Sequence, residues 1–189
     1  SLCSYFRNDE SFFLKKSYLI DNYSKTMEIK NDQIFENNNL KIGISWKSVV
    51  SVYGKLKSLS LSNFAPLIKD NRQFINLQYG NVSEEIKEKE NQLFNIYTFE
   101  NIDLFNDFEY IMSILKNLDI FVTVSNSTAH LAAAMGIKTL LICPKKSSTF
   151  FYWSNENNQT PWYKNVQIFQ IENSLEETLK KINKILEDL

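Results

Sequence analysis

The fold is decided by residues 120–136, Ile120-Phe121-Val122-Thr123-Val124-Ser125-Asn126-Ser127-Thr128-Ala129-His130-Leu131-Ala132-Ala133-Ala134-Met135-Gly136. Ile120–Val124 is an uninterrupted apolar and β-branched run, the composition of a strand buried on both faces. The chain then turns helical at once. Ser125 and Asn126 are capping residue types, the alanines favour helix, and Gly136 is a stop. A strand that feeds directly into a helix over Ser125–Met135 is the unit from which parallel sheets are built. The first turn of that helix offers free backbone N–H groups beside the hydroxyls of Ser125, Ser127 and Thr128, and phosphate is the natural guest there. A plainer alternative stands beside it: Ser125–Thr128 cap a core helix, and His130 is a structural histidine.

Working outward, Thr139–Cys143 is the next strand, closed by Pro144, and Val166–Phe169 follows a polar, aromatic loop over 145–165. Leu175, Leu179, Ile182 and Leu186 line a final helix. Upstream, Leu40–Trp46 is a short strand with Gly43 where a backbone approaches closely. A polar loop over 47–60 leads to a short helix through Leu61, Phe64, Leu67 and Ile68. Phe74–Leu77 is a second strand, Ser83–Glu90 a charged helix, and Leu93–Tyr97 a third strand. Phe105, Phe108, Met112 and Leu115 give one face of a further helix. This alternation predicts an α/β, Rossmann-like doubly wound domain with a mainly parallel six-stranded sheet and helices on both faces. Residues 1–39 lack sustained periodicity, and Asn37-Asn38-Asn39 is a linker signal. The expected organisation is therefore an extension over 1–39, whose apolar residues pack on a missing partner, and the domain itself over 40–189.

Composition narrows the chemistry. A chain of 189 residues can bury roughly 70% of its unfolded surface without a metal or disulfide staple. A net charge of −1 leaves no basic nucleic-acid footprint. The apolar runs fall far short of the ~20 residues of a membrane span, and residues 1–10 form no signal peptide. Cys3 and Cys143 make a disulfide framework unexpected and fit a reducing, cytoplasmic compartment. The 4 glycines include no Gly-x-Gly, so no dinucleotide fingerprint is present. Gly54-Lys55 is followed by Leu56, which excludes a phosphate loop of the Walker type. With His130 as the 1 histidine, a multi-histidine metal site is excluded, and no Gly-x-Ser-x-Gly elbow accompanies it.

Ligands of open α/β sheets bind beyond the carboxyl ends of the strands. That rule collects Ser45, Trp46 and Lys47 after the first strand, Gln78 and Tyr79 after the second, Ser125–Thr128 after the fourth and Pro144–Lys146 after the fifth. Hydroxyls, amides, aromatics and lysines without a carboxylate base make a binding set for an anion attached to a planar group. Lys47, Lys55 and Lys57 share a loop with Ser48, Ser51 and Ser58, where a lysine can face phosphate or simply be solvated. Trp162-Tyr163 can stack on a base or anchor a loop on the core.

The order Lys41–Lys47, Lys57-Ser58-Leu59, Phe74–Gly80, Leu118-Asp119, Ser125–Gly136 and Pro161-Trp162-Tyr163 resembles the carboxy-terminal half of heptosyltransferase-like glycosyltransferases. It looks closest to relatives that follow tetratricopeptide repeats in bacterial proteins, and is more distantly similar to O-linked N-acetylglucosamine transferase. The resemblance implies a GT-B architecture, with this half holding a nucleotide-diphosphate sugar as substrate, without a metal or other cofactor. Carried over by position, Ser125, Asn126, Ser127, Thr128 and His130 surround the donor pyrophosphate. Lys57 stabilises the phosphates, while Gln78 and Tyr79 line the nucleotide pocket beside Ser45, Trp46 and Lys47. The acceptor domain, which in inverting members supplies the base, is absent, so the expected partner is an amino-terminal domain or helical repeats. Ser125-Asn126 stands where many members have Asp-Thr, which leaves a second expectation open: a non-catalytic binding or scaffold module. An epimerase of the same architecture needs more acidic and histidine residues in its cleft.

Overall fold

The structure, a computed structural model, describes residues 3–49, 54–90, 96–144, 149–153 and 159–189. Its strands are β1 (Leu40–Ser45), β2 (Arg72–Asn76), β3 (Ile96–Tyr97), β4 (Ile120–Val124), β5 (Thr139–Cys143) and β6 (Val166–Gln170). They form one sheet in the order β3-β2-β1-β4-β5-β6, and every neighbouring pair is parallel. The chain runs outward from β1 to β3, then returns to the other side of β1 for β4. The crevice between β1 and β4 is therefore the topological switch point, where α/β sheets place their ligands.

The helices are α1 (Cys3–Phe6), α2 (Tyr23–Lys30), α3 (Gly54–Lys57), α4 (Ser83–Glu90), α5 (Phe108–Lys116), α6 (Ser127–Met135) and α7 (Leu175–Glu187). Strand alternation divides the core between two faces. Ile42, Ile44, Phe74, Ile120, Val122 and Ile142 meet the 3-10 helix Leu61–Leu67, α4 and α7 on one side. Ile75, Leu77 and Phe121 meet α2, α5 and α6 on the other. Farther along that second face, Leu141, Cys143 and Ile168 pack with Ala129, Ala133 and Trp153. The expected α/β doubly wound sheet, covered on both faces, is what the chain forms.

Local chemistry accounts for where elements start. The Asp107 carboxylate accepts from the Tyr110 N–H, so α5 begins at Phe108 and Phe105 stays in the preceding turn. Its buried stripe is Ile111, Ile114 and Leu115. The anticipated stripe is thereby corrected, because Phe105 and Phe108 are 55% and 51% exposed. α6 starts two residues later than expected, since the Asn126 carboxamide accepts from Ala129 N–H and ends the extended backbone. Gly136 closes it in the left-handed conformation at φ 85°. The Leu61–Leu67 turn is 3-10 and contains Pro66. Leu93 and neighbouring 91–95, expected in the third strand, lie outside the described residues.

Part of residues 1–39 belongs to this domain's own packing. Ile29 is buried, with Leu19 and Phe35 packed beside it. Thr26 Oγ1 donates to Ser113 Oγ at 3.3 Å, and Asn117 Nδ2 donates to the Thr26 carbonyl at 3.0 Å, which ties α2 to α5. The N–H groups of Tyr18 and Leu19 both donate to the Ala134 carbonyl. Asn37-Asn38-Asn39 wraps a cation: the Lys41 ammonium donates to the carbonyls of Asn37 and Asn39 and to Asn37 Oδ1 at 2.7–2.8 Å. Tyr5, Phe6, Leu14, Ile20 and Tyr23 remain exposed.

Gly43 lies at the sheet's centre, where a Cβ would stand 3.0 Å from both Leu77 and Phe121 and closer still to Leu118. Gly43→Val is expected to lower the unfolding free energy by about 1–3 kcal/mol through overpacking, read as an earlier urea midpoint.

Candidate functional site

Ser45 and Thr123 are register partners at the carboxyl ends of β1 and β4, so the two strand exits lie side by side. One side chain organises them. The Gln78 Oε1 accepts from Ser45 Oγ at 3.0 Å, Trp46 N–H at 2.8 Å and Lys47 N–H at 2.6 Å. Its Nε2 donates to the Tyr79 carbonyl at 2.8 Å. From the β4 side, Asn126 Nδ2 donates to Ser45 Oγ at 2.8 Å. Exposed backbone at a strand exit would otherwise be left to water; here buried carboxamides satisfy it and fix its direction.

Beyond this network lies a cavity of about 400 Å³. Its polar wall is Ser48, Lys57, Ser125–Thr128 and His130; its apolar wall includes Tyr79, Leu104, Phe105, Ile111 and Leu131. The α6 N-terminus opens into it. Asn126 satisfies the Ala129 N–H, which leaves the earlier N–H groups of Ser127 and Thr128 at the positive end of the helix for a guest. A larger groove, about 890 Å³, runs along β6 away from this helix start, so the smaller cavity is the candidate site.

Lys57 reaches the cavity from α3. Ser58 Oγ donates to the Gly54 carbonyl at 2.7 Å and accepts from Ser48 N–H at 3.0 Å, which pins α3 to the loop after β1. Lys57 is 5% exposed, and its Nζ sits 4.6 Å from the centroid of the Phe150 ring. Among the described residues no carboxylate pairs with it. Desolvation lowers its pKa, partly countered by Cys143. The Cys143 thiol is pushed up to about 11, chiefly by burial, so it stays protonated.

His130 stacks on Trp153, with centroids 4.3 Å apart and planes at 21°, and its Nδ1 shares a 3.2 Å hydrogen bond with the Tyr163 hydroxyl. Burial, and then the Lys57 charge, lowers its pKa to about 4. The ring is therefore neutral near pH 7 and serves as a hydrogen-bonding group.

The structure brings together Lys57, Tyr79, Ser125, Asn126, Ser127, Thr128 and His130 around one cavity. Ser45, Trp46, Lys47 and Gln78 do not line it. Trp46 is core, with its indole N–H on Glu85 at 3.0 Å, and Lys47 ion-pairs with the same carboxylate at 2.5 Å. Every polar atom of the Gln78 carboxamide is engaged within the fold, so it supports the site from beneath. Trp162 packs edge-on against Phe13 at 4.7 Å, which makes it a loop anchor. Lys145, Lys146 and Ser51 lie outside the described residues. Sequence reasoning overlooked Trp153, whose indole N–H donates to Ser125 Oγ at 3.0 Å, and Phe150 and Tyr152 beside it. The signal was Phe150-Phe151-Tyr152-Trp153, an aromatic run too dense for an ordinary surface loop.

Comparison with solved structures places this geometry. The chain superimposes on ADP-heptose LPS heptosyltransferase II of E. coli with a TM-score of 0.63 and 13% identity, over 90% of this chain and 53% of that one. This is the fold of one half of a heptosyltransferase. A glycosyl transferase family 9 protein from Veillonella parvula aligns likewise, at a TM-score of 0.60, 10% identity, and the same 90% and 53% coverage. In sequence, the chain is 30% identical over 141 residues to Protein FlbA of Caulobacter vibrioides, covering 70% of this chain and 22% of that protein. It thus spans about a fifth of that curated relative and about half of either solved structure. No protein-family profile matches it. No helix among the described residues is long and apolar enough to cross a membrane.

Two outcomes are expected at this site. Gln78→Leu strands three donors at the β1 exit and should cost at least about 2 kcal/mol in urea unfolding. His130, the 1 histidine of the chain, should titrate in NMR with a midpoint of about 4. Its folded pKa lies below the unfolded value of about 6.5, so the unfolded chain takes up the proton first. The histidine's contribution is then constant above about pH 6.5 and turns destabilising as pH falls from there toward 4, a slope His130→Gln should lessen.

Proposed function

We propose that the cavity binds the pyrophosphate of a nucleotide-diphosphate sugar, and that the chain is the donor-binding half of an inverting glycosyltransferase. The observation that carries this is Lys57: a 5% exposed ammonium without a carboxylate partner among the described residues, sharing one cavity with the α6 N-terminus. A buried cation is costly unless an anion joins it, and the helix start favours the same guest. The apolar wall of Tyr79, Leu104 and Phe105 suits the planar base that such a phosphate carries. Support from outside is the fold shared with a heptosyltransferase whose name specifies ADP-heptose.

In transfer, an acceptor hydroxyl attacks the anomeric carbon while the bond from that carbon to the phosphate oxygen breaks. The electron pair goes to the departing diphosphate, which Lys57 and the N–H groups of Ser127 and Thr128 stabilise more than the intact donor. The acceptor's proton needs a base, and among the described residues no carboxylate lines the cavity. In this reading the base comes from an acceptor domain joined to this one. One observation favours the non-catalytic alternative. Ser125 Oγ is engaged by Trp153 and Asn126 by Ser45, so neither matches a carboxylate offered to sugar hydroxyls.

Calorimetric titration with ADP, UDP, GDP and CDP tests the reading. One nucleotide should bind at micromolar concentration, and Lys57→Ala, with its circular dichroism unchanged, should weaken it about tenfold or more. Thr128→Ala should weaken it less. Absence of binding by all four nucleotides would overturn the donor reading in favour of the non-catalytic module.

A further inference from the structure

A neutral imidazole carries its proton on one nitrogen and a lone pair on the other, so it can donate to an anion or repel it. Which nitrogen holds the proton is set by the bond that the other one makes. In His130 that bond is at Nδ1, which lies 3.2 Å from the Tyr163 hydroxyl. Tyr163 lines the β6 groove and not the cavity, so Nδ1 is turned away from the cavity. Nε2 lies on the other side of the ring and has no hydrogen-bond partner among the described residues.

Tyr163 is held firmly in this place. Thr160, 1% exposed, donates from Oγ1 to the Tyr152 carbonyl at 2.7 Å and accepts from Trp162 N–H at 3.1 Å. The turn before Tyr163 is thereby tied to the aromatic run that packs on His130. Burial, and then neighbouring Tyr18, raise the Tyr163 pKa, so its hydroxyl keeps its proton. A phenol is the better donor and an imidazole nitrogen the better acceptor, so the proton in their bond belongs to Tyr163. The Trp153 stack fixes the plane of the ring. A half-turn within that plane's slot would replace Nδ1 by a carbon and lose the bond.

We propose that Tyr163 is a positioning residue: it donates to Nδ1 and holds His130 as the Nε2–H tautomer, which donates to the anion in the cavity. The identity of that anion rests on the donor-site reading, whereas the tautomer is a property of the free chain. The opposite tautomer would aim a lone pair at the same guest. A tyrosine that only anchored its loop would leave the place of the proton unchanged when its hydroxyl is removed.

The test uses the 15N-labelled 189-residue chain near pH 7, where its 1 histidine gives one pair of ring nitrogens. Long-range proton–nitrogen spectra should show Nδ1 free of a proton and Nε2 protonated. In Tyr163→Phe, with circular dichroism unchanged, both signals should move toward a mixture of tautomers. In calorimetry with inorganic pyrophosphate, Tyr163→Phe should weaken binding about fivefold, yet have no effect in a His130→Gln background. A proton on Nδ1 in the unmodified chain would overturn the proposal, and so would tautomer signals that Tyr163→Phe leaves unmoved. Equal weakening in both backgrounds would overturn it too, because Tyr163 would then act on its loop and not through His130. If neither pyrophosphate nor any of the four nucleotides binds while the tautomer responds as expected, the donor reading falls and the positioning role stands.

Discussion

The arrangement of the site depends on one buried carboxamide. Gln78 leaves the end of β2 and reaches across the exit of β1, where its oxygen holds three donors and its nitrogen a carbonyl. Strand exits at a topological switch point pose a general difficulty, because two chains diverge and their polar backbone must end somewhere. Here Gln78 answers it for β1, and Asn126 bridges from β4 to the same Ser45 hydroxyl. The crevice walls are thereby joined by hydrogen bonds within the protein, and the cavity above them has a fixed floor.

The cavity's charge follows from the same packing. Cys143 stays a thiol and His130 stays neutral, both because burial penalises ionisation. Lys57 is left as the charged group of the wall, supported by an aromatic face at Phe150. Glu85 is occupied by Lys47, the Trp46 indole and the Leu61 N–H. The cavity wall thus carries one cation beside a helix start and, among the described residues, no carboxylate.

The sheet was legible in the sequence because its central strands are undiluted apolar runs. Ile120–Val124 and Thr139–Cys143 coincide with β4 and β5, and Leu175, Leu179, Ile182 and Leu186 define α7. Where side chains face two ways, the pattern misled. α5 was assigned the stripe through Phe105, but the Asp107 cap starts the helix later and turns Ile111 and Ile114 inward. Position beyond a strand marked Ser125–Thr128 correctly as neighbours of one cavity, yet it could not separate Lys57 from Lys47. That distinction rests on Glu85, 38 residues away from Lys47 in sequence. Nor could spacing reveal that Trp153 stacks on His130, since the contact is made by a loop folding back over α6.

The alanines of α6 have a consequence for what the cavity can hold. Ala129, Ala132 and Ala133 are buried against the sheet, so the helix axis lies as near the strands as side-chain volume permits. A helix raised on leucines would lift its amino end above the crevice and away from Lys57. The small residues thus act as a thickness gauge: they set the altitude of the N–H groups relative to the sheet rim. The depth of the cavity is set in part by methyl groups that do not line it.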